Sequence, residues 1–436
     1  MENLFIRVDE REFGPVKLAE LRELVKQGSF SKTDFIWSEN LDEWIPAEQT
    51  IELQDLFDPA NGNGHATYQK KIYAVASGKG GVGKTIFSSS LGIGLASMGQ
   101  EVIMVDADFG GANLHTCMGM LEPELTFFDF YTLQKDSLSD VVIDTPVDNL
   151  RMISGACGTL GLANPKYTQK LRFIRELKKL QADSIILDLG AGSGFNTIDF
   201  FLLADEPIII MTPEPTSIYE AFGFIKVCLL RELKRRLRGH ADVVEILERE
   251  EINRPNKTVL TIGDLLADLQ KINPEAHEIF EKTLDDFQPK LVLNMVKSRD
   301  EISEGQAIQA AALDLLCIKL DFLGYISYDP KVGEAVKAMK PFLLNSPKAK
   351  ASQDLSALIR VNLLGKSGFR EILERRRWRK HLESYSENYP EHNILDDAAI
   401  CSVKCFYWGD CEYQDGGAPC RVRHLEPVLR QRITTV

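Results

Sequence analysis

Long apolar runs are missing from this sequence of 436 residues, and its first residues do not have the pattern of a secretory leader. No stretch reaches the roughly 18 apolar residues that a membrane-spanning helix needs. The first residues, MENLFIRVDERE, are acidic and lack an apolar segment, so we expect no secretory signal. These absences predict a cytoplasmic protein.

Positively charged residues are fewer than negatively charged ones. The sequence has 51 Lys and Arg residues and 64 Asp and Glu residues, so the net charge is −13. This balance argues against broad electrostatic binding to nucleic acid, and we expect no sequence-specific nucleic-acid partner. Hydrophobic residues make up 44% and charged residues 26%, which is typical of a globular chain. The length allows two or three domains.

A glycine-rich stretch from Ile72 to Thr85, IYAVASGKGGVGKT, begins with small and apolar residues and runs into a helical pattern. It satisfies the pattern GxxxxGK[ST] between a predicted strand and a predicted helix, where backbone N–H groups can bind phosphate. Lys84 can reach the β- and γ-phosphates, and the Thr85 hydroxyl can hold Mg²⁺. The predicted nucleotide contacts are Gly78, Gly80, Gly81, Val82, Gly83, Lys84 and Thr85. An ordinary glycine-rich turn is the alternative.

Two further motifs place aspartates beside this loop. VDADFGGANLH closes the second predicted strand of this region with Asp106 and Asp108, and IILDLGAGSG closes a later strand with Asp188. A carboxylate at such a place can hold a Mg²⁺-bound water or orient the water that attacks the γ-phosphate. For the first motif, an Asp pair that only caps a loop is the alternative.

The motifs and their order resemble the MinD/ParA family of P-loop ATPases with a deviant Walker A loop. The extra lysine of that loop is Lys79, in KGGVGKT. The resemblance implies an ATPase that forms an ATP-dependent homodimer, in which Lys79 reaches the partner's nucleotide. Catalytic roles then fall to Lys79, Lys84 and Asp108, the last in switch I.

The same resemblance implies ATP and Mg²⁺ as cofactors. It assigns Mg²⁺ to Thr85, Asp106 and Asp188, and it places Gly192 in a switch II that senses the γ-phosphate. In LVLNMVKS, Asn294 matches the family's asparagine that hydrogen-bonds adenine, and its amide has the donor and acceptor for a purine edge. A turn residue is the alternative for Asn294. DLGAG and LVLNMVKS favour the FlhG-like branch, whose members regulate flagellar number.

Apolar runs of strand length alternate with helical patterns between residues 70 and 365, which predicts an α/β fold with a doubly wound, mostly parallel sheet. The predicted strands are Ile72–Ala76, Val102–Asp106, Leu150–Ser154, Ser184–Asp188, Pro207–Met211, Lys290–Asn294 and Phe322–Ile326. The predicted helices include Thr85–Met98, Pro165–Gln181, Ser217–Leu237 and Ser303–Leu316. Residues 235–289 form a predicted helical insertion, either a partner surface or lid or a decoration.

Residues 1–57 are expected to form a small α+β domain, followed by a linker over residues 58–69 that is rich in Gly, Asn and Pro. A helical pattern from Leu18 to Val25 lies between two strand-like segments, and Gly14-Pro15 predicts a turn. The segment resembles a bacterial GYF-type domain, which implies binding of a proline-rich protein partner. The alternative is a structural cap in which Trp37 and Trp44 are core residues.

Residues 366–436 are expected to form a basic helix and a tail that contains four crowded cysteines: Cys401, Cys405, Cys411 and Cys420. Four thiolates in a cytosolic chain suggest Zn²⁺ or an Fe–S cluster, and free or disulfide-bonded cysteines are the alternative. In the basic helix, Phe369 and Trp378 fall on opposite faces at helical spacing. A peripheral membrane contact is therefore not favoured.

The leading hypothesis is a Mg²⁺-dependent ATPase that dimerises on ATP and controls the position or assembly of a cellular structure. Two alternatives stay open. One is an ATP-coupled Fe–S protein, and the other is a nucleotide-gated adaptor with negligible hydrolysis.

Overall fold

The computed structural model describes residues 4–8, 11–26, 30–31, 33–38, 44–47, 70–121, 123–155, 167–252 and 262–364. The predicted linker, basic helix and four-cysteine tail lie outside these residues. Within the described part of the chain, no helix has the length and apolar character to cross a membrane.

The N-terminal module contains a four-stranded antiparallel sheet and one helix. Its elements are β1 (Leu4–Val8), β2 (Arg11–Val16), α1 (Leu18–Lys26), β3 (Phe35–Ser38) and β4 (Ile45–Pro46), and the strand order is β2-β1-β3-β4. Alternate residues of β1 are fully buried, and they pack with Leu21 and Leu24 of α1. Trp37 and Trp44 are half-buried and do not belong to this core.

The predicted turn at Gly14-Pro15 is wrong, because both residues lie inside β2. Gly-Pro pairs usually mark turns. However, β2 is an edge strand, where a proline without an N–H group need not break a ladder of hydrogen bonds. The pairing of β1 with β2 shifts register between Leu4 and Ile6, and this irregularity accommodates the pair.

The larger sheet contains eight strands, and its α/β class is as predicted. They are β5 (Lys71–Ser77), β6 (Val102–Ala107), β7 (Ile143–Asp144), β8 (Leu150–Ile153), β9 (Ser184–Ala191), β10 (Glu206–Met211), β11 (Lys290–Val296) and β12 (Asp321–Ser327). Their order is β12-β11-β10-β5-β9-β6-β8-β7, and only β7 is antiparallel to its neighbour. The central strands are buried along nearly their whole length, as expected for a sheet covered on both faces.

Helices connect the strands of the larger sheet, and three more follow its last strand. They are α2 (Lys84–Ser97), α3 (Leu114–Cys117), α4 (Phe127–Tyr131), α5 (Tyr167–Leu177), α6 (Phe195–Phe201), α7 (Pro215–Arg236), α8 (Ala241–Ile252), α9 (Ile262–Ile272), α10 (Pro274–Asp286), α11 (Arg299–Leu316), α12 (Pro330–Lys337), α13 (Phe342–Asn345) and α14 (Lys350–Ala357). A π-helix, Leu358–Leu363, follows α14. Helices α8, α9 and α10 lie within residues 235–289, where the sequence predicted helices; that this range is an insertion stays a prediction.

Strands β5, β9 and β6 lie side by side at the centre, with β10 next to β5. In a parallel sheet the carboxyl ends of neighbouring strands share one edge, and ligands bind there. The glycine-rich loop and the aspartate motifs all follow these strands, so the fold brings them together.

Candidate nucleotide site

The glycine-rich loop connects β5 to the first turn of α2. Gly83 precedes the helix with a φ of 93°, a left-handed conformation that favours glycine, and no side chain caps the helix there. The first N–H groups of a helix lack partners within it, so this end can bind phosphate oxygens. Gly78 lies so close to α7 that a Cβ atom would come within 2.2 Å of the Glu220 backbone. Helix α7 therefore supports the loop.

Lys84 is 9% exposed at the start of α2. Burial lowers the pKa of its ammonium group, while the carboxylates of Asp188 and Asp108 oppose that shift. A buried cation between carboxylates and a helix N-terminus is well placed to neutralise the phosphate charge of a nucleotide.

Asp106 and Asp188 are paired residues on the neighbouring strands β6 and β9. Asp106 accepts hydrogen bonds from the backbone N–H groups of Asp108 (3.2 Å) and Leu114 (3.0 Å). Asp188 accepts one from the Ser88 hydroxyl at 2.8 Å. Burial raises the pKa of both carboxyls, and for Asp106 the charge of Asp188 adds to the rise.

The side-chain oxygens of Thr85, Asp106 and Asp188 suit Mg²⁺ as ligands. The buried carboxyls of Asp106 and Asp188 lie on paired positions of neighbouring strands, and a hydrogen bond from the Thr85 hydroxyl opposes the rise in the pKa of Asp188. Mg²⁺ prefers oxygen ligands, and a divalent cation would offset the cost of two buried negative charges. Thr85, Asp106 and Asp188 are thus the residues that would hold the ion, either directly or through water.

Asp108 begins the loop after β6 and is half-buried. Its backbone carbonyl and one carboxylate oxygen both accept from the N–H of Gly111, at 3.1 and 3.2 Å. Its carboxylate also lies against Gly190 at the end of β9, where a Cβ atom would approach it within 3.1 Å. The carboxylate is therefore held between the loop that follows β6 and the end of β9.

The N–H of Gly192 donates to the carbonyl of Ser77 at 3.0 Å, and its φ is 83°. This bond ties the segment that follows β9 to the end of β5, immediately before the glycine-rich loop. The predicted contact between Gly192 and a γ-phosphate stays a prediction.

Asn294 lies near the end of β11, at the wall of a cavity of about 250 Å³. Its side-chain N–H donates to the carbonyl of Val82 at 2.7 Å, and its side-chain oxygen accepts from the N–H of Met295 at 2.9 Å. Tyr328 and Phe342 also line the cavity, together with Gly83. An apolar cavity beside a phosphate loop suits a nucleoside base.

Lys79 points to the N-terminus of α7 in its own chain. Its ammonium group lies 3.0 Å from the Thr216 hydroxyl and 3.3 Å from a carboxylate oxygen of Glu214. The side chains of Lys79 and Glu214 are 42% and 63% exposed, so the contact faces solvent. The role of Lys79 in a partner's site stays a prediction.

The sequence motifs did not identify Ser88, Glu214 and Thr216 as members of this site. Ser88 could have been predicted, because it follows Thr85 by three positions on one helix and so lies on the same face of that helix. Glu214 and Thr216 lie more than a hundred positions after Lys79, and no local pattern connects them.

The four predicted metal-ligating cysteines (Cys401, Cys405, Cys411 and Cys420) lie outside the described residues. Among the residues that the structure describes, no group of three or more His, Cys, Asp or Glu side chains is arranged to hold a metal ion by itself. A Mg²⁺ ion bound together with nucleotide phosphates needs no such group.

Several known proteins are similar to this chain. The antiactivator FleN of Pseudomonas aeruginosa is 27% identical over 290 residues, which cover 66% of this chain and 84% of FleN. The flagellum site-determining protein YlxH of Helicobacter pylori is 33% identical over 36% of this chain and 53% of YlxH. The septum site-determining protein MinD of Synechocystis sp. is 34% identical over 35% of this chain and 56% of that MinD. The chain thus spans just over half the length of the last two.

Among solved structures, MinD complexed with Mg-ADP from Pyrococcus horikoshii is 21% identical, with a TM-score of 0.46 over 68% of this chain and 98% of that one. Two family models also match. Residues 5–53 match GYF domain 2, and residues 73–342 match the CobQ/CobB/MinD/ParA nucleotide-binding domain, which is more than half of the chain. The resemblances seen in the sequence are thereby confirmed: the chain belongs to the MinD/ParA family of ATPases and carries a GYF domain at its N-terminus.

Proposed function

We propose that the protein is a Mg²⁺-dependent molecular switch that hydrolyses ATP to ADP and phosphate. The convergence of Lys84, Thr85, Asp106, Asp108 and Asp188 at one edge of the sheet carries this proposal. The loop backbone and Lys84 bind the phosphates, and Mg²⁺, when bound, neutralises charge on the β- and γ-phosphates. The cavity beside Asn294 receives the base.

Asp108 is the residue that assists hydrolysis. Its carboxylate lies within the electrostatic reach of Lys84 and is fixed by Gly111 and Gly190. A carboxylate held there can accept a hydrogen bond from the attacking water and orient it toward the γ-phosphate. Loss of the γ-phosphate would then release the contacts of switches I and II.

The direct test replaces Lys84 with alanine. We expect Lys84→Ala to lower ATP turnover by at least about 100-fold, because a phosphate-binding cation is lost. The matched control is Lys179→Ala, which removes an exposed lysine just after the end of α5 that pairs with Glu176 of that helix. Steady-state phosphate release measures both variants. Unchanged turnover in Lys84→Ala would contradict the mechanism.

The output of the switch is proposed from the relatives. FleN is named an antiactivator, YlxH a flagellum site-determining protein and MinD a septum site-determining protein. We infer that the ATP state of this protein controls the position or number of such a structure. The test is a cell that carries Asp108→Ala in place of the natural residue. Unchanged number and position of flagella and septa would argue against this output.

The N-terminal module is proposed to bind a protein partner. Phe5 and Trp37 are half-buried and meet edge to face at 5.5 Å, and Arg7 lies 4.3 Å from the centre of the Trp44 ring. Partly exposed aromatic rings on one sheet can hold a proline-rich peptide. Titration of tryptophan fluorescence with a proline-rich peptide, and with a Gly-Ser peptide of equal length, tests this. Equal responses to both peptides would refute it.

The Zn²⁺ or Fe–S site at the C-terminal cysteines stays a prediction from sequence, and so does the metallocluster alternative. No observation on the described residues favours either one. Metal analysis of anaerobically purified protein, with an absorbance scan, separates the cases. Absence of both zinc and iron from the purified protein would contradict both metal sites and the metallocluster alternative.

A further inference from the structure

The ring of Phe109, the residue after Asp108, packs against three other phenylalanine rings in an aromatic cluster. Its members are Phe109, Phe127, Phe173 and Phe200, and we call it the four-ring cluster. Phe109 stacks on Phe127 with ring centres 4.5 Å apart and an interplanar angle of 19°. Its ring also meets the edges of Phe173 at 6.4 Å and Phe200 at 6.3 Å.

The three phenylalanine rings that contact Phe109 are buried in the core. Each is no more than 3% exposed, and Phe173 contacts the other two, with ring centres 5.1 Å from Phe127 and 5.0 Å from Phe200. They come from α4, α5 and α6, so three separate helices hold the ring of Phe109. Paired aromatic rings contribute about 0.5–1.5 kcal/mol beyond the area that they bury.

The switch I loop has no other large anchor. Between the end of β6 at Ala107 and the start of α3 at Leu114, the sequence reads Asp-Phe-Gly-Gly-Ala-Asn. Phe109 is the one bulky apolar side chain in this segment, and two glycines follow it. Glycines leave the backbone free to move after Phe109, so the packing of its ring adds to the hydrogen bond by which Asp106 holds the N–H of Asp108.

Phe200 extends the same contact to the second switch. It belongs to α6, whose N-cap is Gly194, two positions after Gly192. The ring of Phe109 therefore packs on the helix that follows switch II, while the Asp108 carboxylate lies against Gly190 at the start of switch II.

We propose that Phe109 is a positioning residue for ATP hydrolysis, which holds the Asp108 carboxylate in place by anchoring switch I to the four-ring cluster. The inference rests on the proposed role of Asp108. Phe109 itself contacts no reacting group. It limits the orientations of the loop, and small errors in the position of a catalytic group lower the rate steeply.

The experiment measures kcat and KM for ATP in the full chain with Mg²⁺. Phe109→Ala should lower kcat by about 10- to 100-fold and leave KM and the Kd for ADP within about twofold of the wild-type values. Phe109→Leu restores an apolar side chain and should recover most of the rate. If Phe109→Ala does not fold, Phe109→Val takes its place in the same comparison.

A matched control separates positioning from general loss of stability. Phe280 is fully buried on α10 in the same core and has no ring contact with the four-ring cluster. Phe280→Leu should lower the thermal midpoint and leave kcat unchanged. Equal losses of kcat in the Phe280 and Phe109 variants would overturn the inference, as would an unchanged kcat in Phe109→Ala.

A double-mutant cycle with Asp108→Ala tests whether Phe109 acts through Asp108. If it does, Phe109→Ala should lower kcat no further once Asp108 is absent. Additive losses would overturn the inference and leave the role of Asp108 intact. An unchanged kcat in Asp108→Ala alone would overturn both the proposed hydrolysis mechanism and the positioning role.

Discussion

At the scale of single residues, the phosphate loop depends on the backbone of Gly83. Its left-handed φ of 93° turns the chain into α2, and a Cβ atom at this position would lie 2.4 Å from the side-chain nitrogen of Asn294. That nitrogen donates to Val82 in the same loop. One small residue therefore permits both the turn and the contact between loop and base cavity.

Gly83→Ala should lower the free energy of unfolding of the nucleotide-free protein by about 1–3 kcal/mol, because alanine is strained at positive φ and its methyl group displaces Asn294. The control is Gly80→Ala, since no atom lies within 4 Å of a Cβ at Gly80. Gly80→Ala should change the free energy of unfolding by no more than about 0.5 kcal/mol. Urea denaturation measures both, and equal stability of the two variants would contradict this account of Gly83.

Part of the site was predictable at this scale. Lys84, Thr85, Asp106 and Asp188 follow from the motifs, because each motif places its residue at a strand end or loop that the fold brings to one edge. The partners of Asn294 and Lys79 were not predictable. Asn294 bonds to a residue 212 positions earlier, and the Lys79–Glu214 contact spans 135 positions.

At the scale of elements, Asp199 joins three helices around the switch region. From α6 it hydrogen-bonds to Lys170 of α5, and its two carboxylate oxygens accept from Arg231 of α7 at 2.5 and 3.0 Å. Burial opposes ionisation of Asp199, but the hydrogen bonds from Arg231 and Lys170 outweigh it and lower its pKa below the ordinary value.

This pairing predicts a pH dependence of stability. Because the pKa of Asp199 is lower in the folded state, its ionised form stabilises the fold above about pH 4, and that contribution is lost as the pH falls through the folded pKa. Asp199→Asn should cost about 1–3 kcal/mol at pH 7, and the difference from wild type should shrink below about pH 4.

Denaturation of both proteins between pH 7 and pH 3.5 measures this difference. The control is Asp321→Asn, because Asp321 is 53% exposed in its ion pair with Lys290 and should contribute less than about 1 kcal/mol. A difference for Asp199→Asn that does not change with pH would contradict the assignment.

The elements themselves were largely predictable. Every predicted strand of the larger sheet forms, because continuous apolar runs mark strands that are buried on both faces. Strand β7 was missed, since its two residues are too short for any periodic pattern. The turn predicted at Gly14-Pro15 was wrong, because these residues lie in β2 at the edge of the sheet, where proline is tolerated. The edge position is a property of the sheet and not of the local sequence.

At the scale of the whole molecule, the contact of Lys79 with Glu214 and Thr216 bears on dimerisation. Exposed ion pairs contribute about 0–1 kcal/mol, so this contact can break at little cost. We predict that Lys79 then binds a phosphate of a nucleotide in a second subunit. A face-to-face homodimer that forms only with ATP would convert hydrolysis into a change of assembly.

The most direct test of the switch is size-exclusion chromatography with light scattering on full-length Asp108→Ala, with Mg²⁺ and either ATP or ADP. Slow hydrolysis in this variant should preserve the ATP state. We predict a dimer with ATP and a monomer with ADP, and loss of the ATP-dependent dimer when Lys79→Ala is added. A monomer with both nucleotides, despite normal ATP binding, would contradict the claim that ATP switches the protein between monomer and dimer.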